Sequence, residues 1–135
     1  MCAYGGATIL PMSRALLAAQ FVILSALACI HIAGLEYYWY WEYRWLDILT
    51  HFLGGVWVGL FALWLGVMRD VRAPLLLCAA AGLGFGLAWE VWEIYIGALS
   101  FPADASDTLQ DLGMDTIGSA FAYLVARAFS LWSKN

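Results

Sequence analysis

The sequence has few of the charged side chains that cover a water-soluble protein: 12% of its 135 residues are charged and 64% are hydrophobic. A soluble domain typically has about 25% charged and roughly 45–50% apolar residues. The composition therefore excludes a soluble domain and predicts a polytopic membrane protein. The net charge of −4 also argues against a nucleic-acid partner.

Cysteine and cofactor motifs are also scarce. The three cysteines, Cys2, Cys29 and Cys78, are odd in number and lack CxxC spacing. They indicate small residues buried in a core rather than a disulfide or zinc framework. The sequence contains neither GxGxxG nor a P-loop motif, so nothing in it indicates a dinucleotide or nucleotide cofactor.

Four apolar segments are long enough for the roughly 20 residues that a membrane span requires. They cover about residues 15–35, 45–67, 74–99 and 108–132. The first exceeds the apolar core of a signal peptide, about 7–15 residues, and is taken as a retained helix. Since the segments use most of the chain, residues 1–135 are predicted to form one all-α domain, a compact bundle of four transmembrane helices.

The basic residues predict the orientation of this bundle. Five of the six fall on one side of four spans, namely Arg14, Arg69, Arg72, Arg127 and Lys134. The positive-inside rule makes that side cytoplasmic and places both termini there. Only Arg44 falls on the outer side.

Acidic residues gather at the outer ends of the predicted helices. Asp107, Asp111 and Asp115 are spaced by four and share one helix face. Each such acid costs roughly 2.5–3.5 kcal/mol at the bilayer centre on the translocon scale. They are therefore expected to face the bundle interior, water, a cation or one another.

Two further pairs share helix faces, which gives a mixed oxygen and nitrogen ligand set at the outer side. The predicted ligands of a divalent cation are Asp47, His51, Glu90, Glu93, Asp111 and Asp115. Carboxylates with imidazole suit manganese, iron or zinc, and carboxylates alone suit calcium or magnesium, so the identity of the ion stays open.

The alternative for any one of these acids is a protonated carboxyl hydrogen-bonded to a neighbour, or an ion pair with Arg44. For the whole set, no basic side chain lies at the same depth, so a cation or shared protons must balance it. His31 is ambiguous, and four other acids are expected to be solvated loop charges: Glu36, Glu42, Asp104 and Asp107.

The first outer loop, residues 36–45, is rich in aromatic rings. Such rings suit the membrane interface, where they form a belt at headgroup level. Their density also fits a surface that docks a partner chain or a lipid. The predicted partner or lipid interface consists of Tyr38, Trp39, Tyr40, Trp41 and Trp45.

Small residues recur at four-residue spacing on the helices that carry the acids. These pairs are Gly55 with Gly59, Gly82 with Gly86, and Gly118 with Ala122. Such pairs let membrane helices approach closely. Because they fall near the acidic faces, the acids are predicted to point into the bundle.

The motifs Asp47-Ile-Leu-Thr-His51, Ala88-Trp-Glu90-Val-Trp-Glu93 and Asp107-Thr-Leu-Gln-Asp111-Leu-Gly-Met-Asp115 resemble those of the YjdF-like integral membrane proteins of unknown function. More distantly, they resemble VanZ-like proteins. The resemblance covers about residues 45–125. It implies a multi-pass helical protein of the bacterial inner membrane with these polar residues in equivalent places, and it implies no known reaction.

Three functions fit these observations. The favoured hypothesis is a non-catalytic accessory or scaffold subunit of a larger membrane complex, with the acidic cluster holding a structural cation. The second is a metal-dependent membrane hydrolase acting on a lipid or lipid-linked substrate. The third is an ion or proton transporter, which is weakened because the inner halves of the helices have almost no ionisable groups.

Overall fold

A computed structural model describes residues 6–67, 71, 73–98, 100 and 102–129. Its helices are α1 (Gly6–Glu36), α2 (Trp39–Glu42), α3 (Arg44–Val67), α4 (Pro74–Ile96) and α5 (Ala105–Ala128). Helix is the only regular secondary structure within these ranges, which confirms the all-α prediction.

Three of the described helices are long and apolar enough to cross a membrane: Leu10–Glu36 of α1, Arg44–Val67 and Pro74–Ile96. The fourth predicted span corresponds to α5, which has 24 residues. Aspartates and other polar residues in its first half make α5 less apolar than the other three helices. The finding of three apolar helices supports a membrane protein and leaves the number of spans at three or four.

The helix ends differ from the sequence-based boundaries. The described part of α1 starts at Gly6, ahead of the predicted start at about residue 15, because hydropathy marks the apolar part of a helix and not its first turns. α4 ends at Ile96, where Gly97 adopts a left-handed backbone with φ of 79° and the Ala98 N–H donates to the Glu93 carbonyl. α2 was not predicted, and Tyr38 precedes it with φ of 59°.

Some predictions fall on residues outside the described ranges. They concern the orientation from Arg69, Arg72 and Lys134, the environment of Cys2, and the predicted helix ends at residues 99 and 130–132.

α3 is the central helix of the bundle. It packs against α1 on one side and against α4 and α5 on the other, and α5 makes its most extensive contact with α3. An apolar core joins the start of α1, the second half of α3, the start of α4 and the end of α5. These four helices therefore alternate in direction. The most buried members of this core are Leu16, Leu63, Val67, Cys78 and Ala126.

The predicted close contacts between helices are confirmed. A Cβ atom on Gly55 would collide with the Asp115 carbonyl, and one on Gly118 would collide with the Phe52 carbonyl. From the other side, a Cβ on Gly82 would stand 2.7 Å from the same Asp115 carbonyl oxygen. α5 is thus held between two glycine-bearing helices, with backbone against backbone.

Polar contacts between helices support this packing. The Ser119 hydroxyl of α5 donates to the Cys78 carbonyl of α4 at 2.6 Å, and the Trp64 indole of α3 donates to the Ser13 hydroxyl of α1 at 2.9 Å. Cys78 is buried as predicted. For Cys29 that prediction is wrong, since it lies exposed on α1 on a face that no described helix covers.

Candidate functional site

The six predicted ligands come together at the end of the bundle opposite the apolar core. The first turns of α3 carry Asp47 and His51, and the last turns of α4 carry Glu90 and Glu93. Asp111 and Asp115 lie in the first half of α5. Antiparallel neighbours bring these three segments to the same level, with His51 in the middle.

Both ring nitrogens of His51 face carboxylates. Nδ1 lies 3.3 Å from Oδ2 of Asp115, within hydrogen-bond reach. Nε2 lies 3.9 Å from Oδ1 of Asp47 and 3.9 Å from Oδ2 of Asp111. If the Nδ1–H donates to Asp115, a neutral imidazole presents the lone pair of Nε2 to the other two acids.

The side chains form two groups whose ligand atoms all lie within 4.8 Å of one another. One group contains Asp47, His51 and Asp111, and the other contains His51, Glu90 and Glu93. Asp115 belongs to neither group and instead contacts the imidazole from behind. A carboxylate in that position orients a metal-ligating histidine and fixes its tautomer.

Two of these acids are deeply buried and incompletely hydrogen-bonded. Glu90 is 3% exposed and Asp111 is 2% exposed. Within the described part of the chain, neither carboxylate oxygen of Glu90 has a hydrogen-bond partner, and Oδ1 of Asp111 has none. Buried carboxylate oxygens normally have hydrogen-bond partners, so these atoms are the least satisfied polar atoms of the cluster.

Glycine determines where the Asp115 side chain can lie. A Cβ on Gly86 would stand 2.5 Å from Oδ2 of Asp115, and one on Gly54 would stand 3.8 Å from its Oδ1. α4 therefore leaves room for the carboxylate that contacts His51. The sequence showed the spacing of these glycines but not that one of them makes space for an acid.

A cleft of about 540 Å³ opens beside the cluster. Asp47, His51, Glu93 and Asp115 form its polar part. Its apolar walls come from α1, α3 and α4 and include Leu24, Leu27, Ala28, Trp57, Phe85 and Trp89. The cleft thus joins a carboxylate and histidine site to a hydrocarbon-like space, as is typical of a site for an amphiphilic ligand.

Sequence reasoning missed the contribution of the first outer loop to this cleft. Tyr40 of α2 turns inward, and its hydroxyl lies 2.7 Å from Nδ1 of His31, which also lines the cleft. Burial raises the pKa of the Tyr40 phenol, so the O–H keeps its proton and can donate to the imidazole. A Cβ on Gly34 would stand 2.7 Å from the Tyr40 ring, so this glycine makes room for the tyrosine.

Replacing Tyr40 by phenylalanine is expected to lower the free energy of unfolding by about 1 kcal/mol, because His31 loses its hydrogen-bond donor while the ring remains. Thermal unfolding in detergent measures the change. Tyr43→Phe, which alters an exposed ring in the next turn, is the matched control. Equal effects of the two substitutions would contradict the role of the Tyr40–His31 contact.

The remaining loop residues divide into two groups. Tyr38, Trp39, Trp41 and Trp45 expose much of their surface, whereas Tyr40 does not. The prediction of solvated loop charges is confirmed for Glu36 and Glu42, which are exposed. It holds only in part for Asp104 and Asp107, which are half-buried. Oδ2 of Asp104 accepts a hydrogen bond from the Ser100 N–H at 2.8 Å, which ties the second outer loop together.

Comparison with protein families assigns the chain to a family of membrane proteins. The family model described as Predicted membrane protein (DUF2238) matches residues 10–131, which include every candidate site residue. The chain belongs to this family. The resemblance to YjdF-like proteins is consistent with that membership, and the distant resemblance to VanZ-like proteins stays a prediction. Comparisons with curated proteins and with solved structures gave no match.

Proposed function

We propose that the protein is a metal-dependent membrane hydrolase that acts on a lipid or lipid-linked substrate. The observation that carries the proposal is the meeting of His51 with incompletely paired, buried carboxylates beside an apolar-walled cleft. A purely structural polar contact would need neither the cleft nor side chains whose ligand atoms remain without partners.

The proposed cation ligands are Asp47, His51 and Asp111. A zinc ion about 2.0–2.2 Å from each ligand atom would separate those atoms by roughly 3.4 Å. The 3.9 Å distances around Nε2 of His51 therefore need to close only slightly. Three protein ligands leave coordination positions for water or substrate, which is the arrangement of catalytic sites rather than structural ones.

The cleft residues fit hydrolysis of a substrate that is delivered from the bilayer. A bound divalent cation would supply Lewis acidity to the scissile group. Asp115 would keep the His51 imidazole oriented, and the carboxylates that line the cleft would accept a proton from water. The apolar walls would hold the hydrocarbon part of the substrate and exclude bulk water from the polar part.

The same proposal includes a fourth membrane span and cytoplasmic termini. The outward face of α5 carries Ile117, Phe121 and Leu124, which are 57%, 45% and 55% exposed. These apolar side chains suit lipid contact on a helix whose aspartates face inward. The bacterial inner membrane, implied by the resemblance to YjdF-like proteins, is the proposed location.

A non-catalytic accessory subunit remains the second candidate, because one observation favours it. Aromatic rings at the outer end of the bundle are largely uncovered, among them Tyr38 at 70%, Trp41 at 71% and Tyr95 at 80% exposed. A partner subunit could cover these rings. A transporter is disfavoured because, among the described residues, the end of the bundle opposite the cluster has no buried acid, histidine, lysine or arginine that would continue an ion route.

The proposal is tested by metal content and by lipid cleavage. The protein purified in mild detergent is expected to bind about one zinc, manganese or iron ion per chain. Asp111→Asn is expected to weaken binding by more than about 100-fold, because it removes a charged ligand. The matched control, Asp107→Asn, makes the same change one turn earlier on α5, outside both ligand groups.

Elemental analysis gives the metal content, and mass spectrometry of membrane lipids incubated with the protein detects cleavage. Equal metal content in the wild type and Asp111→Asn would overturn the metal site. Stoichiometric partner subunits, together with intact lipids and a bound ion, would favour the accessory subunit instead. Trp39→Ala and Trp41→Ala would then disrupt the assembly.

A further inference from the structure

The lining of the cleft changes from polar to apolar along the helix axes. α3 runs from the polar cluster toward the apolar core, so Trp57 lies about 9 Å beyond His51 in that direction. Phe85 precedes Glu93 by two turns on the antiparallel α4, which places it on the same apolar side. The cleft is therefore apolar toward the middle of the bundle and polar toward its outer end.

The helices on the two sides of the cleft leave it open to the bilayer. Leu24, Leu27 and Ala28 of α1 form one wall, and Phe85 and Trp89 of α4 form the other. In the described ranges, α1 and α4 each pack on α3 but make no extensive contact with each other. A hydrocarbon chain can therefore enter sideways between them, with its end directed toward the bilayer midplane.

The charged side chains that line the cleft limit which charged groups of a ligand it can bind. Among the described residues that line it there is no lysine or arginine, whereas Asp47, Glu93 and Asp115 are present. An anionic group would therefore need the cation proposed at Asp47, His51 and Asp111. Glu93 lies outside that ligand group, although it forms the second group with His51 and Glu90, and its carboxylate lines the cleft, where it can contact a positive charge.

Aromatic rings accompany Glu93 at the outer end. Trp89 precedes it by one turn on α4, and Tyr40 and Trp41 of α2 line the cleft from the loop. A carboxylate with aromatic rings nearby can recognise an ammonium group through charge and cation–π attraction. Glu93 lies three residues before the end of α4, and Asp47 lies three residues after the start of α3, so the two acids are at about the same depth at the outer end of the cleft.

We infer that the cleft binds a phospholipid with a zwitterionic headgroup. The hydrocarbon chain lies between Leu27 and Phe85, the phosphate meets the cation beside His51, and the ammonium group contacts Glu93 and Trp41. The apolar walls suit the hydrocarbon chain, and the outer end of the cleft offers both cation ligands for the phosphate and, beside them, an acid with nearby aromatic rings for the ammonium group. This inference rests on the proposed function and names its substrate class.

Binding of three dodecyl probes to the metal-loaded protein in maltoside detergent tests the inference. Isothermal titration is expected to show that dodecylphosphocholine binds at least about tenfold more tightly than dodecyl phosphate or dodecyltrimethylammonium, because only it satisfies both charges. Removing the metal with a chelator is expected to weaken binding of the two phosphate probes and not of the ammonium probe.

At matched metal loading, Glu93→Gln is expected to weaken binding of dodecylphosphocholine and dodecyltrimethylammonium by about tenfold and to leave the affinity for dodecyl phosphate unchanged. Glu42→Gln, which alters an exposed acid of α2, is the control. Equal affinities for the three probes, or tightest binding of dodecyl phosphate, would overturn the inference while leaving the metal site in place. A wild-type protein that binds no metal would overturn the proposed function and, with it, the phosphate contact.

Discussion

Replacing Gly55 by alanine is expected to lower the free energy of unfolding by about 3 kcal/mol, the upper end of the range for overpacking. The added Cβ would collide with the carbonyl, the carbonyl carbon and the Cα of Asp115, all of which are backbone atoms. A side chain could rotate away from such a contact, but a helix backbone cannot. α5 must therefore move away from α3, which also draws Asp115 away from His51.

Gly84→Ala is the matched control, because a Cβ on this helical glycine would meet nothing within 4 Å. Alanine favours helix over glycine by about 1 kcal/mol, so this variant should be as stable as the wild type or slightly more stable. Denaturant-induced unfolding in mixed micelles, followed by circular dichroism, gives both values. Similar stabilities for the two variants would show that the backbone contact at Gly55 can relax.

His51→Ala is expected to abolish metal binding, because His51 is the member common to both groups of ligand atoms. In the metal-free protein, the same substitution is expected to lower the free energy of unfolding by about 3–5 kcal/mol, since Asp111 and Asp115 lose the polar group that faces them. The loss of metal binding should be larger than that caused by Asp111→Asn. Asp111→Asn leaves the remaining members of both groups in place.

His31→Ala provides the comparison for this prediction, as it removes the other histidine that lines the cleft. It should leave the metal content unchanged. Because only the hydrogen bond to Tyr40 is lost, the free energy of unfolding should fall by about 1 kcal/mol. Equilibrium dialysis with zinc or manganese, combined with thermal unfolding, separates the two effects. If His31→Ala and His51→Ala lost similar amounts of metal, the cation would lie close to His31. That outcome would contradict the proposed ligands.

The sequence was sufficient to predict the all-helical membrane character and the close contacts at Gly55 and Gly118. Both follow from local rules, because hydropathy over about 20 residues marks a span and small residues at four-residue spacing mark a contact. The meeting of Asp47, His51 and Asp111 was expected for a related reason. In adjacent antiparallel helices, the end of one helix lies beside the start of the other. Acids near those ends are therefore at the same depth and become neighbours.

Other features depend on contacts that spacing alone does not reveal. α2 forms within the aromatic loop, and Tyr40 turns inward because Gly34 leaves room for its ring. The cleft lies between α1 and α4, which both pack on α3 and, within the described ranges, make no extensive contact with each other. Asp115 was expected to be a ligand, but its contact with Nδ1 of His51 gives it the position of an orienting group.

The placement of α5 between α3 and α4 also has a consequence for biogenesis. Three helices that precede α5 are apolar enough to partition into a bilayer singly, whereas α5 is not. In the described part of the chain, Asp111 and Asp115 contact His51 of α3, which is synthesised earlier. α5 is therefore expected to enter the membrane last, after the preceding helices have formed a groove of glycines to receive it.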